Sequence, residues 1–340
     1  MLRAPGPARG GRAALPERAP FAPPPYLGCV SPPFRFMVRA SRQQGPGRCR
    51  ARPFPRPCPR RISRPMVPFR KMQGLGNDFV VLDGRAGALG ITPARAAALA
   101  DRRRGIGCDQ LIVLEPALGA DLFMRIRNPD GSEAGACGNA TRCIASLVAA
   151  ETGRDRVVVR TVAGDLPVEA LPDGRWRADM GAPRLGWEEI PLAAPMDTLR
   201  LPLRRGGLAE PAACSMGNPH ATFFVERLDA VPLAELGPAL EHDALFPERA
   251  NIGVAEILSP EAMRLAVWER SAGLTLACGS AACAAIVNAH RRGLLGRRAT
   301  IHLPGGALEM EWRAADGHVL MTGPVAESFR GLVDLDAYPA

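Results

Sequence analysis

The sequence predicts an α/β protein, of the α+β kind, with two pseudo-symmetric lobes that each wrap a sheet around a central helix. Two near-copies of one turn, 136–140 (Ala-Cys-Gly-Asn-Ala) and 277–281 (Ala-Cys-Gly-Ser-Ala), each follow a strand-like run and open an apolar helix. Four pairs of polar or thiol residues are separated by the same 141 positions, as expected of a duplicated unit; they are Cys137 with Cys278, Asn77 with Asn218, Gln110 with Asn251, and Asn128 with Glu269. We therefore expect a site in the cleft between the lobes, with one thiol from each.

In the first half, short apolar runs bounded by turn residues predict strands at 79–83, 110–114, 122–126, 157–161, 166–171 and 176–180. Thr92 as N-cap and Pro93 at the first helical position predict a helix that ends at about Arg103, before a glycine. The turn at 128–131 (Asn-Pro-Asp-Gly) precedes the first Cys-Gly turn. Apolar residues at helical spacing then predict a second helix that Gly153 ends.

The second half repeats this plan. Strands are predicted at 222–225, 255–258, 263–268, 300–303, 308–312 and 319–322, with a helix at 233–242. The helix that follows Cys278 and runs to about Arg292 is apolar nearly all round, which predicts burial on most sides.

Composition divides the chain further. Residues 1–65 contain 14 arginines, one acidic residue and 15 of the 34 prolines, so this basic segment is expected to be disordered. It is interpreted as an artefact of start-site choice with Met66 the true first residue, or alternatively as a transit peptide or a functional tail. The first lobe is predicted at 66–185 and the second at 186–324, and segment 325–340 is a candidate to pack back onto the first lobe.

Charge and cysteine content bear on partners and compartment. The net charge of +9 is concentrated in residues 1–65, and the remainder is mildly acidic, so the high pI does not indicate nucleic-acid binding. No stretch approaches the roughly 20 apolar residues that cross a membrane. Nine cysteines without CxxC pairs or a secretory signal predict a reducing, cytoplasmic compartment, or an organelle if residues 1–65 are a transit peptide.

The two Cys-Gly turns suggest acid-base chemistry. A cysteine at a helix start lies near free backbone N–H groups and the positive end of the helix dipole, which should bring its pKa from about 8.5 to about 7. Such a pair can hold one thiolate and one thiol, which suits moving a proton across a carbon atom between them. The N–H groups of Gly138, Asn139, Gly279 and Ser280 could cradle a carboxylate.

From Met66 onward the chain resembles the diaminopimelate epimerase family. The motifs that carry the resemblance appear in the family's order over about 275 residues; they are 74–79 (GLGNDF), 107–110 (GCDQ), 128–133 (NPDGSE), 136–139 (ACGN), 216–220 (MGNPH), 250–251 (AN), 268–270 (WER) and 277–280 (ACGS). The family uses no cofactor and no metal, and it interconverts LL- and meso-diaminopimelate in lysine and peptidoglycan precursor biosynthesis.

The resemblance implies a role for each matched residue. Cys137 and Cys278 resemble the catalytic base and acid on opposite faces of the substrate Cα, with His220 and Glu269 tuning the thiols. The carboxylate cradle would be Gly138, Asn139, Gly279 and Ser280. The groups that hold the substrate's amino and distal carboxylate ends would be Asn77, Gln110, Asn128, Asn218, Asn251, Glu269 and Arg270. A homodimer is implied, with its contact near Phe329.

Three positions depart from the family pattern. Ala140 and Ser271 stand where glycine is more frequent, and Leu274 stands where the family usually has glutamate. These residues neighbour the predicted ligands, so they affect the expected loop geometry rather than the expected reaction.

Alternative interpretations remain at the sequence level. A proline-racemase-like enzyme, or another amino-acid racemase, is the nearest, although Asn139 occupies the place where such an enzyme would have histidine. A zinc-binding module and a thiol-redox protein are candidates from other classes. The remaining cysteines of the folded part, Cys108, Cys143, Cys214 and Cys283, are expected to be buried small hydrophobes.

Overall fold

A computed structural model describes residues 66–339, and the predicted disorder of residues 1–65 lies outside this range. The helices are α1 (Pro93–Ala100), α2 (Gly138–Thr152), α3 (Leu233–Glu241) and α4 (Gly279–Arg291). Strands of the first half are β1 (Met66–Gly74), β2 (Asn77–Asp83), β3 (Gln110–Glu115), β4 (Leu122–Arg127), β5 (Glu133–Ala134), β6 (Arg156–Thr161), β7 (Gly164–Ala170) and β8 (Trp176–Asp179). The remaining strands are β9 (Arg204–Arg205), β10 (Leu208–Ala209), β11 (Ala212–Ser215), β12 (Pro219–Val225), β13 (Asn251–Ser259), β14 (Ala262–Glu269), β15 (Gly273–Leu274), β16 (Arg298–Leu303), β17 (Gly306–Trp312), β18 (Val319–Gly323) and β19 (Ala326–Asp334).

The mixed α/β class is confirmed, and every predicted helix and strand is present. The first helix is shorter than expected: Thr92 caps it through a hydrogen bond from the Arg95 N–H, but it ends at Ala100 rather than Arg103. The strands β1, β11 and β19 were not predicted, nor were the two-residue strands β5, β9, β10 and β15. Strand β1 pairs antiparallel with both β2 and β19, so residues from the two ends of the described chain share one sheet.

The sheet repeats its own hydrogen-bonding pattern. Strand β2 runs parallel to β3, β3 is antiparallel to β4, and β4 is parallel to β6; β12, β13, β14 and β16 repeat these three relations. In the first half Phe79 lies opposite Gln110, and in the second half His220 lies opposite Asn251. Both members of the second pair are 141 positions after those of the first, so the duplication seen in the sequence extends to strand register. The two copies join where β8 pairs antiparallel with β18.

Each half packs its sheet around one helix. The buried face of α2, represented by Ile144 and Val148, belongs to one apolar cluster with strands β1 to β8, while nearly all of α4 is buried against β11 to β18. Helix α2 has 15 residues, and no helix within residues 66–339 is long and apolar enough to cross a membrane. Both helices begin immediately after a cysteine in extended conformation, so the architecture places the two predicted thiols at helix N-termini.

We predict that the packing of α2 dominates the stability of the first half. Ile144 is fully buried, so Ile144→Ala should lower the free energy of unfolding by about 2–5 kcal/mol through lost burial and a residual cavity. Urea unfolding of the full chain measures the change. Leu118 is 92% exposed, so Leu118→Ala is the control, and similar losses in both variants would contradict the central role of α2.

Candidate active site

The N-termini of α2 and α4 meet in the interior around Met321 of β18. A Cβ atom on Gly138 would overlap the Met321 methyl group, and one on Gly279 would lie 3.1 Å from the Met321 sulfur. The same Cβ position of Gly279 lies 3.9 Å from Oδ1 of Asn139. Glycine at both helix starts therefore lets two helix ends and one methionine share this space. The two N-cap cysteines are consequently brought to one junction.

On the first-half side of the junction, hydrogen bonds join three predicted residues. The Cys137 thiol donates to Oδ1 of Asn77 at 3.7 Å, and the Asn139 amide donates to the same oxygen at 3.3 Å. The Asn77 amide in turn donates to Oδ2 of Asp109 at 3.2 Å. Asp109 also accepts a hydrogen bond from Arg102, so this carboxylate anchors the Asn77 side chain to a surface ion-pair network.

The amides of Gln110 and Asn128 form a separate pair. Gln110 Nε2 donates to Asn128 Oδ1 at 3.1 Å, and Asn128 Nδ2 donates to Ser132 Oγ at 3.1 Å. Gln110 starts β3 and Asn128 follows β4, and these two strands are antiparallel neighbours. The side-chain oxygen of Gln110, Oε1, is buried without a hydrogen-bond partner in the described part of the chain, which leaves an acceptor available to a ligand.

On the second-half side, the Cys278 thiol lies 3.6 Å from the hydroxyl oxygen of Ser280. Asn218 donates to that hydroxyl at 3.5 Å and shares a 2.9 Å hydrogen bond with Nε2 of His220. His220 is buried, and burial lowers its pKa to about 3, so the imidazole is neutral at physiological pH. A neutral imidazole can orient Asn218 but adds no positive charge to the thiol.

The Glu269–Arg270 segment reaches the same region from the end of β14. The Glu269 carboxylate accepts a 2.5 Å hydrogen bond from the Thr275 hydroxyl and also interacts with the Cys278 thiol. Burial raises the pKa of Glu269. The Asn251 side chain accepts a 3.0 Å hydrogen bond from the Arg270 backbone N–H. Arg270 Nη1 donates to the backbone oxygen of Glu248, so its guanidinium is held beside the loop rather than paired with Glu269.

Both site thiols are protonated at neutral pH in this structure. Burial raises the pKa of Cys137 to about 11, and the Glu269 charge adds to the rise against backbone N–H groups that lower it. Burial also raises the pKa of Cys278 well above its ordinary value, and Glu269 again contributes. The expectation of half-ionised thiols is therefore wrong here, because desolvation of a thiolate outweighs the stabilisation by a helix N-terminus.

The structure brings most of the predicted site residues into two hydrogen-bonded groups at the junction of α2 and α4. Phe329 lies apart on β19, half exposed, with its ring 6.0 Å from that of Phe69. Sequence reasoning missed Asp109 and Thr275, which bond directly to predicted residues. A signal existed for both: Asp109 adjoins Gln110 within a matched motif, and Thr275 follows Leu274 at the place of the family's Glu-Thr pair, just before the second Cys-Gly turn.

The other cysteines and two cavities lie outside this group. Cys108, Cys143, Cys214 and Cys283 are buried, as expected. Cavities of about 430 and 660 Å³ are lined by residues of β16 to β18 and of segment 84–91, respectively, and by none of the predicted site residues. Within residues 66–339, the one cluster with metal-ligand geometry combines Asp179, Asp316 and His318, none of which was predicted as a site residue.

Solved structures with the same fold are epimerases and related proteins. A hydroxyproline epimerase from Agrobacterium vitis superimposes with a TM-score of 0.59 at 16% identity, covering 79% of this chain and 91% of that one. A predicted epimerase from Pseudomonas aeruginosa gives a TM-score of 0.58 at 18% identity, covering 78% and 99%. The fold is that of the proline racemase and PhzF-like epimerases.

Sequence relatives narrow this class. The family model described as diaminopimelate epimerase matches residues 69–186 and 212–327. A diaminopimelate epimerase of Acidiphilium cryptum is 62% identical over 267 residues, which are 78% of this chain and 96% of the relative. Another, from Rhodospirillum centenum, is 59% identical over 265 residues, covering 77% and 91%. The chain belongs to the diaminopimelate epimerase family.

The burial of neutral His220 predicts a pH-dependent stability. Because its pKa falls from 6.5 to about 3 on folding, the unfolded chain binds a proton between these values that the folded chain does not. The free energy of unfolding should therefore decrease as pH falls below about 6.5. In His220→Gln this slope should become shallower, as measured by urea unfolding between about pH 5 and pH 7. His302→Gln, at an exposed position, is the matched control, and identical slopes in wild type and His220→Gln would contradict the assignment.

Proposed function

We propose that this chain interconverts LL- and meso-diaminopimelate. Membership of the diaminopimelate epimerase family supports the substrate and favours it over proline racemisation, zinc binding and thiol-redox chemistry. The observation that carries the proposal is the meeting of two helix N-termini, each capped by a cysteine, at one buried junction. A stereocentre held there would have one sulfur on each face.

The proposed reaction moves one proton on and off the substrate Cα. The thiolate of one cysteine removes the Cα proton, and the electron pair left on carbon is delocalised into the substrate carboxylate. The thiol of the opposite cysteine then donates its proton to the other face, so that one thiolate and one thiol remain with their roles exchanged. The free N–H groups at positions 138–139 and 279–280 stabilise the charge on the carboxylate. Acid and base are both side chains of this chain, so we propose that no cofactor is required.

Binding energy for the substrate would come from the polar groups around the junction. We assign Glu269 to the reacting ammonium, because its carboxylate lies beside Cys278. Arg270 is assigned to the distal carboxylate, since within residues 66–339 its guanidinium binds the backbone oxygen of Glu248 and forms no ion pair. The amide residues Asn77, Gln110, Asn128, Asn218 and Asn251 orient these ends, and His220 fixes Asn218.

The proposal extends to compartment and assembly. All six cysteines in the described part of the chain are free thiols, which supports a reducing, cytoplasmic location. Strands β1 and β19 expose the side chains of Met66, Phe329 and Leu332 by 49–63%. An apolar strand pair of this kind favours a second copy of the chain as its partner, so we propose a homodimer.

We predict that the epimerisation depends on both site thiols. Cys137→Ala and Cys278→Ala should each lower kcat by about 100-fold to 10,000-fold, because each removes one proton-transfer group. The assay follows LL-diaminopimelate in heavy water, where wild type should also incorporate deuterium at the α-carbon. Cys108→Ala removes a buried thiol outside the junction and should retain activity. Undiminished turnover by Cys137→Ala would refute the scheme.

A second prediction concerns the distal carboxylate. Arg270→Lys should raise KM by about tenfold with a smaller effect on kcat, because lysine keeps the charge but loses the planar two-pronged contact. Steady-state kinetics on the full chain measures this change. Arg249→Lys is the matched control, since Arg249 lies nearby but pairs with Glu241. Unchanged KM in Arg270→Lys would exclude the residue from substrate binding.

A further inference from the structure

Arg142 is a buried cation that the scheme above does not use. It lies in the second turn of α2, and its side chain is completely removed from solvent. A guanidinium cannot lose its charge readily, and burying an unpaired charge is strongly unfavourable. Packing alone does not account for this cost, since methionine or leucine could fill a similar volume.

No carboxylate offsets this charge in the described part of the chain. Arg142 takes part in no ion pair there, and its nitrogens Nε and Nη1 have no hydrogen-bond partner. Its remaining nitrogen, Nη2, donates to Oδ1 of Asn139 at 2.8 Å. The groups whose negative charge would act on the guanidinium are three thiols, Cys137, Cys143 and Cys283.

The Arg142 guanidinium lies next to the junction of α2 and α4, between Gly74, Gly323 and Asn139. Cβ atoms added to Gly74 and Gly323 would lie 3.4 and 3.1 Å from Nη2, so these glycines leave the space that it occupies. Its hydrogen-bond acceptor, Asn139 Oδ1, is 3.9 Å from the Cβ position of Gly279 at the start of α4. Two helix N-termini and one guanidinium thus concentrate positive potential at one buried place.

A continuous hydrogen-bond chain connects Arg142 to a predicted catalytic thiol. Arg142 donates to Asn139, Asn139 donates to Asn77 Oδ1, and the Cys137 thiol donates to the same oxygen. The contact from Arg142 therefore decides which end of the Asn139 amide faces Asn77.

The duplication is broken at this position. The residue 141 positions after Arg142 is Cys283, a fully buried neutral thiol in α4. The second half instead supplies the carboxylate of Glu269 beside Cys278. One side of the junction is therefore positive and the other negative, although the two backbones are related by the repeat.

We propose that Arg142 is a positioning residue of the cysteine junction, because its hydrogen bond orients Asn139. Its buried positive charge stabilises the Cys137 thiolate when that thiol ionises, and it also stabilises the bound carboxylate of the substrate. The part of this inference that concerns the carboxylate rests on the proposed function. The part that concerns the thiolate holds for any anionic chemistry at Cys137. The charged groups that act on Cys137 are Arg142 and Glu269, with opposite signs, and the Cys143 thiol is a titratable neighbour coupled to it. Asp109 is hydrogen-bonded to Asn77, whose oxygen accepts from Cys137.

The test compares the ionisation of Cys137 in charged and neutral variants. Iodoacetamide is applied to the full chain over a range of pH, and mass spectrometry follows alkylation of the peptide that contains Cys137. In Arg142→Met the rate of Cys137 alkylation at each pH below the pKa of this thiol should fall, because a nearby cation is lost and the thiolate fraction is smaller. Arg142→Lys keeps the charge and should stay closer to wild type, while its kcat falls because the contact with Asn139 is changed. At fixed neutral pH, kcat of Arg142→Met should fall by about tenfold or more.

Stability measurements separate this role from a purely structural one. Arg142→Met should unfold at an unchanged or higher urea concentration, because an uncompensated buried charge has been removed. Arg291→Met is the matched control; Arg291 is a partly buried arginine of α4 that donates to Ala213 and Thr198, so its loss should lower stability without moving the Cys137 profile.

Identical alkylation profiles in wild type, Arg142→Met and Arg142→Lys would overturn the proposal. Should Arg142→Met fail to fold, Arg142→Gln is the neutral substitute; failure of both neutral variants to fold would establish a structural role and also overturn it. The alkylation measurement needs no substrate, so it remains decisive even if the chain does not epimerise diaminopimelate. If the wild-type chain does not epimerise diaminopimelate but Arg142→Met still changes the alkylation of Cys137, only the proposed function is refuted.

Discussion

The structure depends on the burial of two helix N-termini against each other. Every helix start presents backbone N–H groups that have no partner within the helix, and burying such groups is costly unless an acceptor is available. Here α2 and α4 both begin in the interior, with cysteine N-caps that make no side-chain capping hydrogen bond. The surrounding sheet and the apolar clusters around α2 and α4 hold these donors in place. Backbone donors of two helix starts gathered at one buried place favour an anion, and a carboxylate matches that geometry.

Duplication explains how one chain builds two opposed helix ends. The register of β2 with β3 is repeated residue for residue in β12 with β13, and the halves join through β8 and β18. A symmetric junction alone would treat both faces of a bound carbon alike. The chemical asymmetry comes from side chains at repeat-related positions, where Asn128 is replaced by Glu269 and Arg142 by Cys283. The backbone therefore supplies the symmetry that proton transfer between two faces requires, and substitutions supply the difference that a substrate with unlike ends requires.

The thiol pKa values illustrate where local reasoning fails. A helix N-terminus considered by itself lowers the pKa of a cysteine, and this local effect is visible in the sequence. Desolvation depends on everything packed around the sulfur, including residues of the other half such as Glu269. Because that term is larger, both thiols are neutral in the structure. Ionisation then needs a compensating change at the junction, and a bound ammonium or an oriented guanidinium can supply it.

Local sequence patterns determined the helices, most strands and both Cys-Gly turns, because these features depend on spacing and capping within about 10 to 15 residues. They did not reveal β1, β11 or β19. The exposed residues of β1 and β19 interrupt a buried pattern, and their pairing joins residues at opposite ends of the described chain. The repeat of 141 positions also allowed Cys137 and Cys278 to be predicted as equivalent residues of the two halves without coordinates. Only the tertiary structure decided that Arg142 is buried without a carboxylate partner and that Glu269 acts on both thiols, because burial and long-range charge arise from contacts between segments distant in sequence.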